Sequence, residues 1–176
     1  MELSPILEIR RAFPADAQAL SAISEQTFRD TYAVFNTPEN MDQYVCDNFH
    51  PERLSREIAA PENTFLLAVE NAKIIGFAKL STHKIPEALT GKRAIEIEKI
   101  YVDRDFHGKQ VGPLLMQYIV DLAQKERFEV LWLGVWENNP RAFRFYEKWG
   151  FVRFGEQIFQ LGDDAQTDWL LSRKLD

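Results

Sequence analysis

Cysteine is almost missing from this sequence: Cys46 stands alone among 176 residues. One thiol excludes an intrachain disulfide and any cysteine-rich zinc site. Histidine is scarce as well, and His50, His83 and His107 are too scattered to suggest a metal set or a serine–histidine pair, so no metal site is expected. No apolar stretch approaches the roughly 18 residues of a membrane span. The opening MELSPILEIRRAF has no secretory apolar core, which leaves the cytoplasm as the default location and no membrane partner. Long basic runs are also missing, and the net charge is −6. A nucleic-acid partner draws most of its affinity from a basic footprint, so that class is set aside. The acidic balance favours a cationic small molecule instead.

What is present reads as one domain over residues 1–176, with no repeat, low-complexity segment or linker to divide it. ILEIR (Ile6–Arg10) suits an opening strand. Leu20, Ile23 and Phe28 fall near helical spacing after Pro14. Thr37 can cap a second helix that carries Met41, Tyr44 and Val45 on one side, and Pro51 suits the first turn of a third. TFLLAVE and IIGFAKLST form a hairpin around Asn71–Lys73, and AIEIEKIYV (Ala94–Val102) is a further strand. Leu115, Ile119, Leu122 and Ala123 then make one buried helical stripe. EVLWLGVW is the next strand, Asn139 caps a helix that Gly150 ends, and two last strands flank the turn LGDDAQ. This order predicts an α/β fold with a sheet of mixed direction. No early βαβ glycine fingerprint supports a Rossmann fold.

The stretch DFHGKQVGPLL (Asp105–Leu115) combines Gly108, Gly112, Lys109 and Pro113 at the start of an apolar helix. A helix start exposes N–H groups without intrahelical partners, and with the helix dipole these attract phosphate oxygens. Gly108 and Gly112 let a bulky anion approach the backbone, Pro113 fits the first turn, and His107 and Lys109 can add charge or hydrogen bonds. Spacing alone equally allows a plain strand-to-helix turn.

EKIYVDRDFHGKQVG followed by an apolar helix resembles the coenzyme-A signature of the GNAT N-acetyltransferases, and WENNPRAFRFYEKWGF resembles that superfamily's later Asn…Ala…Phe-Tyr…Gly-Phe segment. In the Arg/Gln-x-x-Gly-x-Gly/Ala pattern of the loop, His107 stands at the first position, Gln110 at the first glycine and Gly112 at the second, so two of three positions depart. TFRDTYAVFNTPENMDQY, WLGVWENN and FQLGDDAQTD are similar to the PaiA-type bacterial polyamine acetyltransferases, with Gln157 where that subgroup often carries His. The resemblance implies a mixed, mostly antiparallel central sheet flanked by helices in a single α/β domain, and acetyl-CoA as co-substrate. It places acetyl-CoA on Ile100, Tyr101 and Val102, on His107, Gly108, Lys109, Gln110, Val111, Gly112 and Pro113, and on Asn139 and Tyr146.

Alternation along the strand sends Glu96, Glu98, Ile100 and Val102 to one face and Ile95 and Ile97 to the other. Acetyl transfer to an amine needs a neutral nitrogen, and a carboxylate shielded from water is a better base. A solvated strand face explains the two acids as well. The resemblance singles out Glu98 as catalytic base, leaving Glu96 to attract the cationic substrate. It makes Tyr146 the general acid for the departing thiolate, although a lone tyrosine suits packing too. Trp132 and Trp136 face one side; core packing suits both, and Trp136 can also wall an amine pocket. Phe28 and Tyr32 are further substrate-binding candidates, in a segment whose acids Asp30, Glu39 and Asp42 could line the acceptor site or a solvated helix face.

The expected activity is acetyl transfer from acetyl-CoA to a small-molecule primary amine, with a polyamine or diamine leading, by direct attack in a ternary complex. A protein N-terminus, a lysine or an amino sugar is the alternative acceptor, and a CoA-binding regulatory module the alternative class. The oligomeric state stays open, a homodimer included.

Overall fold

The computed structural model of the chain describes residues 7–176, so Ile6 of the expected first strand lies outside the described residues. Seven strands form one sheet: β1 (Leu7–Arg11), β2 (Asn63–Glu70), β3 (Lys73–Ser81), β4 (Ala94–Val102), β5 (Val130–Trp136), β6 (Val152–Leu161) and β7 (Asp164–Lys174). Their order is β1-β2-β3-β4-β5-β7-β6. Every neighbouring pair is antiparallel except β4 and β5. A parallel pair needs a crossover, and helix α4 (Val111–Lys125) supplies it. Together with α5 (Pro140–Lys148) it covers one face of the sheet. Leu115, Met116 and Ile119 of α4 are fully buried there, each worth about 1.5–3 kcal/mol of transfer from water.

The opposite face carries α1 (Ala17–Tyr32), α2 (Pro38–Phe49) and α3 (Pro51–Ala59). Leu20 and Ile23 of α1 and Leu54 of α3 pack there on Phe65, Leu67 and Phe77. Thr37 caps α2 by accepting a hydrogen bond from the Asn40 N–H, and Pro38 and Pro51 open α2 and α3 in the first-turn positions where a missing N–H costs nothing.

Two features of β4 create the site. Its pairing with β5 covers only Ala94–Glu96 against Val130–Trp132; beyond that the strands diverge, leaving the inner edge of residues 97–102 unpaired on the β5 side. Within the same strand, Lys79 pairs with Lys99 and Leu80 with Ile97, so Glu98 is the extra residue of a β-bulge. The bulge corrects the expected alternation. Ile100 and Val102 do not share the face of Glu96; they join Ile95 and Ile97 in the core under α4, and Tyr101 turns to the opposite cluster.

The last turn is also shorter than its polar composition suggested. Gln160 pairs with Ala165 and Phe159 with Gln166, so the loop is only Gly162–Asp163, with Gly162 at φ +61°. The Asn40 side chain donates to Asp163 and the Gln166 amide donates to Asn36, which pins this hairpin to the α2 end of the molecule.

Candidate active site

The stretch Asp105–Leu115 does run from a short turn into the start of α4. Gly108 has φ +80°, and Gln110, the N-cap of α4, takes a left-handed conformation at φ +65°. That conformation favours glycine and costs another residue about 1–2 kcal/mol. Gln110 therefore keeps the backbone path of a glycine despite its side chain. The N–H groups of Gly108, Gln110, Val111 and Gly112 have no backbone acceptor among the described residues. Their donors meet at a helix start, where the dipole favours negative charge. Val111 contributes only this backbone, since its side chain is buried in the core. His107 Nε2 lies 2.9 Å from the Val102 carbonyl, and Lys109 Nζ sits 4.6 Å from the Phe106 ring centre; both side chains brace the loop from outside.

A cleft of about 920 Å³ opens on the α1–α3 face, above the point where β4 and β5 part. Glu96, Glu98, Tyr101, Trp136, Asn139, Tyr146 and Asp168 all border it. Phe28 borders it too but is 3% exposed, because its ring stacks on Tyr44 inside a core cluster. Tyr32 stands over Trp136, with ring centres 6.0 Å apart, and Phe35 closes on the same indole at 5.0 Å. Trp132 shares the strand face but lies away from the cleft, buried among Leu89, Ala94 and Leu170. The acids expected from the α1–α2 segment are placed elsewhere: Asp30 pairs with Arg104, Asp42 pairs with Arg29, and Glu39 does not reach the cleft.

The two β4 carboxylates have opposite environments. Glu98 takes part in an ion chain Arg53–Glu57–Lys79–Glu98–Lys99, with its Oε1 at 3.0 Å from Lys79 Nζ and 2.9 Å from Lys99 Nζ. Burial alone would raise it, but Lys99 and Lys79 outweigh burial and hold it at about 2. Such a group is a poor proton acceptor near neutrality, which runs against the expected assignment of Glu98 as base. Glu96 forms no ion pair among the described residues. Burial, and then the nearby charge of Glu98, pushes it up to about 7. Nothing in the sequence marked Lys79 or Glu57, because the hairpin and helix that bring them to Glu98 are distant in the chain.

Tyr146 is 8% exposed and packs edge-on against Phe145 and Phe151, so both packing and access are present. Among the described residues its hydroxyl has no hydrogen-bond partner, yet it is not sealed off and borders the cleft. Burial, with a smaller effect of Tyr32, raises it above its ordinary value and keeps it protonated. Asn139 caps α5: its Oδ1 accepts from the Ala142 N–H at 3.1 Å. Among the described residues, no cluster of His, Cys, Asp and Glu could hold a metal, and no helix is long and apolar enough to cross a membrane.

A splayed parallel pair, a donor-lined helix start beside it and a capped helix carrying a tyrosine into the gap agree with the comparison of sequences. Residues 25–151 match the Acetyltransferase (GNAT) family. The chain belongs to that family. An uncharacterized N-acetyltransferase of Lactobacillus delbrueckii subsp. lactis is 35% identical over 160 residues, 91% of this chain and 92% of the relative. A spermidine N(1)-acetyltransferase of Thermoplasma acidophilum is 23% identical over 172 residues, 96% of this chain and 97% of the relative. The fold is shared with a PaiA N-acetyltransferase from Thermoplasma acidophilum, solved in complex with coenzyme A, at TM-score 0.81 and 22% identity over 96% of this chain and 99% of the other. This GNAT enzyme is an acetyl-CoA-dependent N-acetyltransferase. The free donors of Gly108, Gln110, Val111 and Gly112 fit the pyrophosphate of that co-substrate, a group that needs several N–H donors on a bulky anion.

Proposed function

We propose that the acceptor is a primary amine bearing further positive charge, a polyamine or diamine, and that it attacks directly while both substrates are bound. The observation that carries this reading is the division between two carboxylates two residues apart. Glu98 is ion-paired to two lysines, whereas Glu96 borders the cleft with no ion-pair partner among the described residues and sits at about 7. An ammonium has to lose its proton before its nitrogen can attack, and a base works best when its pKa lies near the working pH. Glu96 meets both needs: ionised, it attracts the ammonium and then takes its proton, directly or through one water. Glu98 becomes a positioning residue. It holds Lys79 and Lys99 in place and raises Glu96 by its own charge.

The co-substrate supplies an acyl thioester, so that a C–N bond forms as the C–S bond breaks. Tyr146 donates its hydroxyl proton to the departing sulfur, a role that its burial keeps available. The unpaired inner edge of β4 from Ile97 to Val102 and the amide of Asn139 offer hydrogen bonds to the pantetheine arm. An acetyl-enzyme is disfavoured, because Cys46 lies exposed on α2 and outside the cleft. The distant similarity to a spermidine N(1)-acetyltransferase supports the acceptor class.

An amine panel with acetyl-CoA, following CoA release, tests the reading. Spermidine should outperform a neutral-chain primary amine of similar length, and high salt should raise its KM by screening. Faster turnover of an uncharged peptide N-terminus would move the acceptor to protein.

A further inference from the structure

The cleft contains a second acid that the catalytic reading does not use. Asp168 of β7 pairs with Trp136 on one side and Gln157 on the other, and it borders the same cleft as Glu96. Gly134 makes room for it: a Cβ there would come within 3.0 Å of Gln157 Nε2 and 3.3 Å of Asp168 Oδ2. Gln157 lends a hydrogen bond but no charge, and Asp168 has no ion-pair partner among the described residues. Lys79 and Lys99 are committed on the β3–β4 side, where they hold Glu98, and Lys84, which also borders the cleft, acts on Glu96 and not on Asp168. A partly buried carboxylate without a cation is costly to keep ionised, and burial accordingly pushes Asp168 up to about 6. The Tyr32 and Trp136 rings stand beside it, and aromatic faces add attraction for an alkylammonium.

The geometry points to Asp168 as a second cation site, which holds the distal ammonium of the acceptor and selects chains with two separated positive charges. This deepens the amine-transfer reading and rests on it. The spacing follows from the ladders. Glu96 pairs with Trp132 and Asp168 with Trp136, so the two acids are offset by four residues of β5. That offset is about 13 Å along the strand, and the acids stand on opposite sides of β5, about 10 Å apart across it, so their backbones are roughly 16 Å apart before the two side chains reach into the gap. A triamine or tetramine spans such a gap, and a short diamine does not. Its methylenes would run along the Trp136 indole, which borders the cleft. Glu96 then receives the nitrogen that reacts, and Asp168 the one that does not.

The test compares kcat/KM for spermidine with that for an alkyl monoamine of equal length, in wild type, Asp168→Asn and Asp168→Glu. Loss of a hydrogen-bonded charge contact should lower the spermidine-to-monoamine ratio about 10–100-fold in Asp168→Asn, chiefly through the KM of spermidine. Asp168→Glu should retain most of the ratio. Acetyl-CoA affinity checks that each variant is folded. An unchanged ratio in folded Asp168→Asn overturns the assignment of Asp168 alone, because wild type then still acetylates amines. Wild type that acetylates neither amine overturns the transfer reading and this inference with it. A series of terminal diamines of rising length needs no variant: KM should drop steeply once the second nitrogen reaches Asp168, and a flat series refutes the site.

Discussion

Replacing Gly112 by Asp separates the anion cradle from the fold. Gly112 is the second residue of α4, and a Cβ there would meet only the Phe145 ring, at 3.8 and 3.9 Å, which is ordinary contact. A carboxylate in the first turn also suits the helix dipole, by about 0.3–1 kcal/mol. Thermal stability should therefore hold or rise slightly. Binding of acetyl-CoA should suffer. A negative charge about 4 Å from a phosphate oxygen costs roughly 4 kcal/mol at an effective dielectric of about 20. The loop is partly open to water, and about half of that value is expected to survive. The remaining 2 kcal/mol or so corresponds to about a 30-fold rise in Kd. Titration calorimetry with acetyl-CoA, beside a thermal melt, measures both quantities. A Kd equal to wild type in a protein that melts normally would refute the placement of the pyrophosphate at the start of α4. Lys109→Ala should do much less, because that ammonium lies over the Phe106 ring and outside the cradle.

Three further outcomes follow from the cleft. With Glu96 as base, kcat/KM should climb as pH rises through about 7; Glu96→Gln should remove that inflection and cost about 10²–10⁴-fold at neutral pH, with partial recovery at high pH. Retention of the inflection in Glu96→Gln, with its loss in Glu98→Gln, would return the base to Glu98. Glu98 is lowered from its ordinary 4.5 to about 2, so the stability it contributes is present above pH 4.5 and disappears as pH falls towards 2. Glu98→Gln leaves the half-buried Lys99 without its ion-pair partner and should destabilise the protein by about 1–2 kcal/mol in denaturant melts at pH 7, and very little near pH 2. Tyr146→Phe removes only a hydroxyl, so kcat should fall while acetyl-CoA affinity stays close to wild type; normal turnover would reduce Tyr146 to a packing residue.

Local chemistry made much of this protein legible in advance. Thr37–Pro38, Pro51 and Asn139–Pro140 mark helix starts because a cap and a missing N–H act within one turn. The stripe Leu115, Ile119, Ala123 marks α4 because period and burial coincide. The turn into α4 was visible for the same reason: Gly108 and Gly112 bear on a helix start in their own immediate neighbourhood. What the spacing could not foresee was the bulge at Glu98, which depends on the register of β4 against β3 and reverses the faces of Ile100 and Val102. The ion chain was equally hidden. Glu57, Lys79 and Glu98 come from α3, β3 and β4, and a pKa is set by whatever charges folding brings within a few ångströms, however far apart they are in the chain. The sequence alone thus determined the elements, their order and the glycine-bearing start of α4, which depend on neighbours within a few residues. Tertiary structure decided which of the two β4 carboxylates is ion-paired and which distant acid shares their cleft, because desolvation and Coulomb interaction depend on distance in space.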